Sequence, residues 1–216
     1  DRDVVFVPVG INYDRVLEDM SLVRKLDPEA VTRSPWFVIK TSFKFGLKTL
    51  FMSRKKRWLR FGYASVNFGK PVSVFEYCQQ HNVNLSELEQ ERRFKHIESL
   101  SQQLMDEIAD VVPVLPIALM SEVILANQSD WLSELEVKTV AVAHIEDLHA
   151  RGAPIRISAN ACEDVLTAAL SMLEGRGFIE RKEGLIRAQP EALDLLNYYA
   201  NSIKQWKAAS PSQVES

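Results

Sequence analysis

The chain has 216 residues, of which 46% are hydrophobic and 25% charged, and its formal net charge at pH 7 is −3. This composition is typical of a globular protein that is long enough to bury a sizeable core. Its two cysteines, Cys78 and Cys162, lie far apart without metal-ligand spacing and indicate a reducing, cytoplasmic compartment. No apolar run reaches the roughly 18 to 20 residues that a membrane-spanning helix needs.

The first distinctive feature is the sequence VVFVPVGINYDR at residues 4–15. Residues 4–7 are β-favouring and apolar, which predicts a strand buried on both faces in a sheet covered by helices. Pro8 cannot donate to a strand ladder and is expected at the strand end, at an edge or at a bulge. Gly10 is expected to allow a turn or a close approach of a ligand to the backbone. Polar residues after such a strand are expected to face a ligand.

A strongly basic block follows in residues 30–75, which contain no Asp or Glu. The block holds ten basic residues: Arg33, Lys40, Lys44, Lys48, Arg54, Lys55, Lys56, Arg57, Arg60 and Lys70. The rest of the chain therefore carries 16 basic against 29 acidic residues. This asymmetry predicts an anionic partner, which the charge alone leaves open as lipid headgroups, phosphate or nucleic acid.

Within this block, residues 36–53 have the pattern of an amphipathic helix. The apolar positions recur every third or fourth residue: Trp36, Ile39, Phe43, Leu47 and Leu50. Lys40, Lys44 and Lys48 form a cationic stripe beside them. The pattern favours a helix in a membrane interface. A core helix with a solvated lysine face and a nucleic-acid contact are the alternatives.

The basic tetrad Arg54, Lys55, Lys56 and Arg57 is predicted to contact anionic lipid or to attract the phosphate of a substrate or of CoA. A solvated charge run is the alternative. Arg60 is singled out as a substrate contact because it directly precedes the predicted strand at residues 61–68. That strand ends in the turn signal Gly69-Lys70-Pro71 and is expected beside the opening strand.

Residues 72–81 are predicted to form a short helix, and Ser86 with Glu89 a capping box that opens a long one. The long helix carries a predicted core stripe of Phe94, Ile97, Leu100, Leu104, Ile108 and Val111. Pro113 and Pro116 end it.

The last third predicts a helical module with helices at residues 115–126, 130–148 and 159–173, the second and third capped by Ser129 and Ser158. A hairpin around Glu183-Gly184 and a helix from Pro190 to about residue 204 complete it. Three helices followed by a hairpin are also the order of a winged helix. However, residues 159–173 contain Glu163 and Asp164 and no Lys or Arg. The module is therefore expected to be structural or to bind a protein rather than nucleic acid.

Two sequence blocks resemble the glycerol-3-phosphate acyltransferase family, which includes the bacterial membrane enzyme and its mitochondrial outer-membrane relatives. They are VPVGINYDR at residues 7–15 and GYASVNFGKPVS at residues 62–73, and a weaker likeness continues through VLPIALMSEVIL to the C-terminus. The first block resembles the family's fourth acyltransferase block, which lines the substrate pocket. By this resemblance, Val7, Pro8 and Val9 are the pocket-lining positions.

The family's catalytic block, His-x-x-x-x-Asp, is absent from these 216 residues. Five positions after His81, His96, His144 and His149 lie Ser86, Ser101, His149 and Pro154. The family's Phe-Pro-Glu-Gly block is also absent. The sequence is therefore expected to be the C-terminal part of a longer acyltransferase that is inactive without its catalytic half.

The resulting expectation is an α/β fold: part of an acyltransferase sheet in residues 1–112, a helical module in 113–207 and a disordered tail in 208–216. The implied reaction transfers a fatty acyl group from acyl-CoA or acyl carrier protein to glycerol 3-phosphate. Dihydroxyacetone phosphate is the alternative acceptor. A nucleic-acid-binding protein and a lipid-surface adaptor are the alternative classes. The expected location is the cytoplasmic face of a membrane with an anionic surface; no cofactor, metal or nucleic acid is expected.

Overall fold

The computed structural model describes residues 2–16, 18–24, 62–155, 157 and 159–206. Its first half contains β1 (Val5–Phe6), β2 (Val9–Tyr13), α1 (Asp19–Arg24), β3 (Ala64–Phe68), β4 (Val72–Ser73), α2 (Val74–Gln80) and α3 (Gln90–Val111). Its second half contains α4 (Pro116–Ala126), β5 (Leu132–Ser133), α5 (Glu134–Ala150), α6 (Cys162–Gly175), β6 (Ile179–Lys182), β7 (Leu185–Ala188) and α7 (Leu193–Ala200). Short 3₁₀ turns lie at Ala159–Ala161, Pro190–Ala192 and Asn201–Trp206. The fold is thus a mixture of helices and small antiparallel sheets.

Several predicted features lie outside the described residues. They are the amphipathic helix at residues 36–53, the tail at residues 208–216, and the basic residues Lys40, Lys44, Lys48, Arg54, Lys55, Lys56, Arg57 and Arg60. None of the helices in the described part combines the length and hydropathy needed to cross a bilayer.

The four N-terminal strands form a two-stranded antiparallel structure, here called the N-terminal ribbon. β1 pairs with β4, and β2 pairs with β3 with Val9 opposite Phe68 and Tyr13 opposite Ala64. Between the two paired segments, the Gly69 N–H donates to the Pro8 carbonyl at 2.8 Å. The predicted strand at residues 61–68 corresponds to β3, which pairs with β2 just past Pro8, whereas the opening strand itself pairs with β4.

Two expectations about the opening strand are wrong. Residues 4–7 are exposed rather than buried on both faces, because β1 pairs only with β4 and no described helix covers it. Gly10 does not make a turn but lies inside β2. A Cβ on Gly10 would lie 2.5 Å from the Val111 carbonyl oxygen at the end of α3, so the close approach it permits is to the chain's own backbone.

The long helix is confirmed, but its predicted cap and two of the six residues of its core stripe are not. α3 has no side-chain hydrogen bond at its N-cap, Glu89, and Ser86 instead donates to Asn84 Oδ1 at 2.7 Å. Leu100 is buried, whereas Phe94 is 60% exposed and Ile97 is also exposed. The C-terminal end of α3 contacts β2, and in its N-terminal half the His96 carbonyl accepts from the Tyr77 hydroxyl of α2 at 3.1 Å, so the periodic stripe extends beyond the surfaces that cover the helix.

The hydrophobic core lies almost wholly in residues 114–206, here called the C-terminal module. α4 is buried on nearly every side, as its sequence predicts, and packs against α5, α6 and α7. The central helix is apolar all round because neighbouring helices cover each of its faces. Burial of this kind contributes about 25 cal/mol for each Å² of apolar surface removed from water.

The helix order and hairpin of the C-terminal module agree with the sequence prediction, whereas two helix starts do not. α6 begins at Cys162 with no side-chain cap at Ala161, and the predicted cap Ser158 lies outside the described residues. α5 begins after Ser133 rather than Ser129: Ser133 Oγ accepts from the Glu136 N–H at 3.2 Å, and Glu136 Oε2 accepts from the Ser133 N–H at 2.7 Å. The hairpin turns at Glu183 and Gly184, which both have positive φ, at 52° and 81°. Such angles suit a two-residue hairpin turn.

The predicted winged-helix order is present in the C-terminal module. α4, β5, α5, α6 and the β6–β7 hairpin follow one another, and the three strands form one sheet in the order β5-β7-β6. The short strand β5 was not predicted from the sequence. It pairs with β7 through Leu132 and Ser133.

Candidate functional site

The predicted pocket-lining residues lie where the N-terminal ribbon changes from β1 to β2. Val7 is 50% exposed and Val9 37%, whereas Pro8 is buried between the paired segments. Pro8 lies between β1 and β2, so its missing N–H breaks no ladder bond of either strand. Val7 and Val9 thus present apolar side chains at the surface of the described structure.

One face of the β2–β3 pair is apolar and exposed, and is here called the apolar outer face. It consists of Val9, Ile11, Tyr13, Val66 and Phe68. Val9 lies opposite Phe68 and Ile11 opposite Val66, so the side chains form cross-strand pairs on one surface. Phe68 is the most exposed of them, at 72%. Contiguous apolar surface of this kind is typical of an interaction or ligand-binding surface.

The opposite face of the same strands is polar and buried against the end of α3 and the C-terminal module. Asn12 Nδ2 donates to the Pro113 carbonyl at 2.8 Å and to Ser202 Oγ at 3.1 Å. Asn67 Nδ2 donates to the Val111 carbonyl at 3.1 Å. These bonds satisfy carbonyls at and beyond the end of α3 that lack helical partners. The polar residues after the opening strand therefore bind the chain's own backbone, contrary to the expectation that they face a ligand.

Asp14 is the most constrained member of this buried face. Its Oδ1 accepts from the Ile117 N–H in the first turn of α4 at 2.9 Å, and its Oδ2 accepts from the Tyr63 N–H at 2.9 Å. The side chain is almost fully buried, and this desolvation raises the pKa of Asp14 to about 6, although both N–H donors act to lower it. A Cβ on Gly62, which has φ +66°, would lie 2.4 Å from the Asp14 Cβ, so this corner requires glycine.

A buried ion pair fixes the start of α1. Asp19, which is buried, pairs with Arg176 and accepts from the Tyr199 hydroxyl. The Val16 N–H donates to the same hydroxyl oxygen at 3.1 Å. Burial, and then the hydrogen bond to Asp19, raises the pKa of Tyr199 to about 12. The Arg176 guanidinium also lies 4.2 Å from the centre of the Phe178 ring.

Sequence reasoning missed these buried acids, although one signal for them was present. Residues 9–14 alternate strictly, with Val9, Ile11 and Tyr13 on one face. This period of two predicts that the strand continues past Pro8. The partners at residues 117, 176 and 199 are distant in sequence, so no local pattern indicates them.

The described histidines lie away from the N-terminal ribbon strands that carry the predicted pocket. His81 stacks on Tyr77 with 4.1 Å between ring centroids, and His96 lies 6.0 Å from His81 by the same measure. The partly buried His144 Nε2 lies 3.0 Å from Glu122 Oε2 and joins α5 to α4. Within the described ranges, no three His, Cys, Asp or Glu side chains cluster as a metal site.

Comparison with known proteins identifies the family. The model for the glycerol-3-phosphate acyltransferase C-terminal region matches residues 46–210. Curated proteins named glycerol-3-phosphate acyltransferase match 94% of the chain: 25% identity in Alteromonas mediterranea, 26% in Haemophilus ducreyi and 27% in Histophilus somni. The chain spans about a quarter of the length of these relatives, 24%, 25% and 24% respectively. The chain therefore belongs to the glycerol-3-phosphate acyltransferase family and corresponds to its C-terminal region.

Proposed function

We propose that the chain is the C-terminal portion of a glycerol-3-phosphate 1-O-acyltransferase and that its apolar outer face forms a wall of the acyl-transfer cleft. The observation that carries the proposal is the orientation of the N-terminal ribbon. Its polar face is occupied by the chain's own backbone partners, whereas its apolar face is exposed. The matched relatives are about four times as long as the matched region, and their remaining polypeptide offers a partner for that face.

The proposed reaction joins the 1-hydroxyl oxygen of glycerol 3-phosphate to the acyl carbonyl carbon of acyl-CoA or acyl carrier protein. The carbon–sulfur bond of the thioester breaks, the thiol leaves, and the hydroxyl proton passes to a general base. In the family this base is the histidine of His-x-x-x-x-Asp, which none of the four histidines here begins. We therefore assign proton abstraction to a part of the enzyme outside these 216 residues and expect the chain alone to be inactive.

Val7, Pro8 and Val9 are the proposed substrate-binding residues within the chain, together with Arg60, which lies outside the described residues. The Val7 and Val9 side chains are apolar and exposed, which suits contact with an acyl chain. A guanidinium at position 60 suits the phosphate of the acceptor. Dihydroxyacetone phosphate carries the same phosphate, so it is the alternative acceptor.

The acylation test compares the 216-residue chain with a version extended by the coding sequence that precedes it. Each is supplied with palmitoyl-CoA and with radiolabelled glycerol 3-phosphate or dihydroxyacetone phosphate, and the acylated lipid product is counted. We expect product from the extended polypeptide only, and its loss when the histidine of a preceding His-x-x-x-x-Asp block is replaced by alanine. Replacing Val9 by aspartate in the extended polypeptide is expected to raise KM for the acyl donor. Absence of any preceding acyltransferase block would refute the proposal.

We further propose that the basic block holds the enzyme at an anionic membrane on its cytoplasmic face, close to its lipid product. Each basic residue near such a surface contributes on the order of 1 kcal/mol. The triple change Lys40→Glu, Lys44→Glu and Lys48→Glu is therefore expected to weaken flotation with phosphatidylserine vesicles at low salt. Unchanged flotation would mean that those lysines form an ordinary solvated surface. Duplex DNA at the same salt serves as the competing anion.

A further inference from the structure

A concave surface lies between α5 and α6, and is here called the α5–α6 groove. It encloses about 690 Å³. Its floor is formed by Ile145, Ile157 and Leu166, which are all buried, and Leu135 and Val142 stand at its edge. Leu135 is 75% exposed, which is unusual for a leucine in the first turn of a helix that packs on a core. The groove therefore offers apolar contacts at its base and at its edge.

The charged side chains in the described lining are two glutamates, Glu146 and Glu163, and one lysine, Lys138, and His149 lies beside them. Lys138 lies 2.9 Å from Glu134, which also pairs with Arg181 at 3.0 Å, and 3.9 Å from Glu163. The Glu163 side chain is 88% exposed, and Glu146 is also exposed on the lining. The surface thus has an apolar floor with carboxylates in excess at its margin, which complements an apolar ligand that carries cations on its flanks.

The acidic charge of the α5–α6 groove also indicates which kind of partner the C-terminal module can bind. In a winged helix that reads DNA, the helix corresponding to α6 enters the major groove and its surroundings carry cations. Here the first turn of α6 carries Glu163 and Asp164. These carboxylates would repel a polyanion at the surface where a nucleic-acid-binding protein attracts DNA. The geometry therefore favours a positively charged polypeptide.

We propose that the α5–α6 groove docks a cationic amphipathic helix of a partner polypeptide. In this mode an apolar stripe of residues spaced i, i+3 or i+4 and i+7 fills a hydrophobic groove. The stripe contacts Val142, Ile145 and Leu166, and lysine or arginine residues beside it face Glu146 and Glu163. This site is separate from the apolar outer face and does not depend on acyl transfer.

Cys162 provides a direct reporter because it is a partly buried residue of the groove lining. The test uses the 216-residue chain with Cys78→Ser, so that Cys162 is its only thiol. The probe is a synthetic helix of about 18 residues, or five turns, with leucines on one face and lysines on the other. We expect the probe to slow alkylation of Cys162 by iodoacetamide at least about tenfold at saturation. Fluorescence anisotropy of the labelled probe then gives its affinity.

Charge-reversed variants decide where the probe binds. Glu146→Lys with Glu163→Lys is expected to weaken binding about tenfold or more, because rim charges steer and select a charged partner. The matched control, Glu91→Lys with Glu98→Lys on the exposed surface of α3, is expected to leave the affinity unchanged. Circular dichroism of each variant confirms that the fold is intact.

Three outcomes would overturn the proposal. The first is equal binding of a second peptide in which glutamates replace the lysines, which would indicate a non-selective apolar surface. The second is equal weakening by the groove and control variants, which would place the probe elsewhere. The third is that duplex DNA protects Cys162 from alkylation and that the groove variants change this protection. That result would make the occupant a nucleic acid.

Discussion

Asp14→Asn is the most informative substitution because it tests what holds the N-terminal ribbon to the C-terminal module. The native carboxylate accepts one N–H from Ile117 and one from Tyr63. An asparagine carbonyl oxygen can accept only one of them, and its amide group meets the other donor. The substitution also removes a buried group that titrates, so it changes both a bonding pattern and the dependence of stability on pH.

The magnitude follows from the pKa of Asp14. Burial raises it to about 6 from the ordinary value of 3.8. Between these values the folded state binds more protons than the unfolded state, so the free energy of unfolding falls as pH rises. This rise in the pKa of Asp14 corresponds to a total loss of about 3 kcal/mol in the free energy of unfolding as pH increases. About 2 kcal/mol of that loss falls between pH 4.5 and pH 7. Carboxylates with lowered pKa values, such as those of Asp3 and Glu134, act in the opposite direction.

The assay is urea unfolding of the native chain and of Asp14→Asn at pH 4.5 and pH 7. For each protein, the free energy of unfolding at pH 7 is subtracted from that at pH 4.5. Comparing the two differences cancels the contributions of the remaining carboxylates, which both proteins share. We expect the native chain to lose about 2 kcal/mol more than the variant over this range. If the native chain instead gains stability relative to the variant, the two N–H donors and the positive end of α4 outweigh desolvation, and the reasoning is refuted.

Three further substitutions test individual contacts by urea unfolding. Gly10→Ala is expected to destabilise the chain by about 1 to 3 kcal/mol, because its Cβ would overlap the end of α3; Gly175→Ala, which has open space, is the control and should cost far less. Arg176→Met leaves the buried Asp19 without its cation and is expected to lower the free energy of unfolding by about 3 to 5 kcal/mol. A loss below about 1 kcal/mol would mean that this pair is solvated. Ser133→Ala removes the cap of α5 and is expected to cost about 1 kcal/mol, while an unchanged stability would show that β5 alone fixes the start of the helix.

The features that the sequence predicted correctly are those encoded by neighbouring residues. The hairpin at Glu183-Gly184 needs two consecutive residues with positive φ, and this pair of residue types marks such a turn. The helix predicted at residues 115–126 is α4, and Pro116, expected only to end the preceding helix, lies in its first turn. The family resemblance likewise rested on two continuous blocks, at residues 7–15 and 62–73, and the comparisons confirm the family.

The features that it predicted wrongly depend on what lies opposite a residue. Residues 4–7 have the composition of a strand that is buried on both faces, yet they are exposed in the described structure. Composition alone does not say which part of a protein packs against a strand. Ser86 and Ser129 have the spacing or side chain of a helix cap, yet Ser133 and Glu136 form the reciprocal pair because β5 fixes the chain just before them. Local propensity offers several possible helix starts, and tertiary pairing selects one.

The buried acids explain how a ribbon with an exposed apolar face keeps its orientation. The hydrophobic core of the C-terminal module ends near the ribbon, and apolar contacts alone would permit the ribbon to rotate on it. The bonds of Asn12, Asp14 and Asp19 are directional, and at least one bond of each residue joins positions more than 100 apart. A one-residue slip of β2 would exchange its two faces and bury Ile11 in place of Asn12. These polar contacts therefore fix which face of the ribbon is offered to a partner, and loss of any one should affect the proposed cleft through geometry rather than through chemistry.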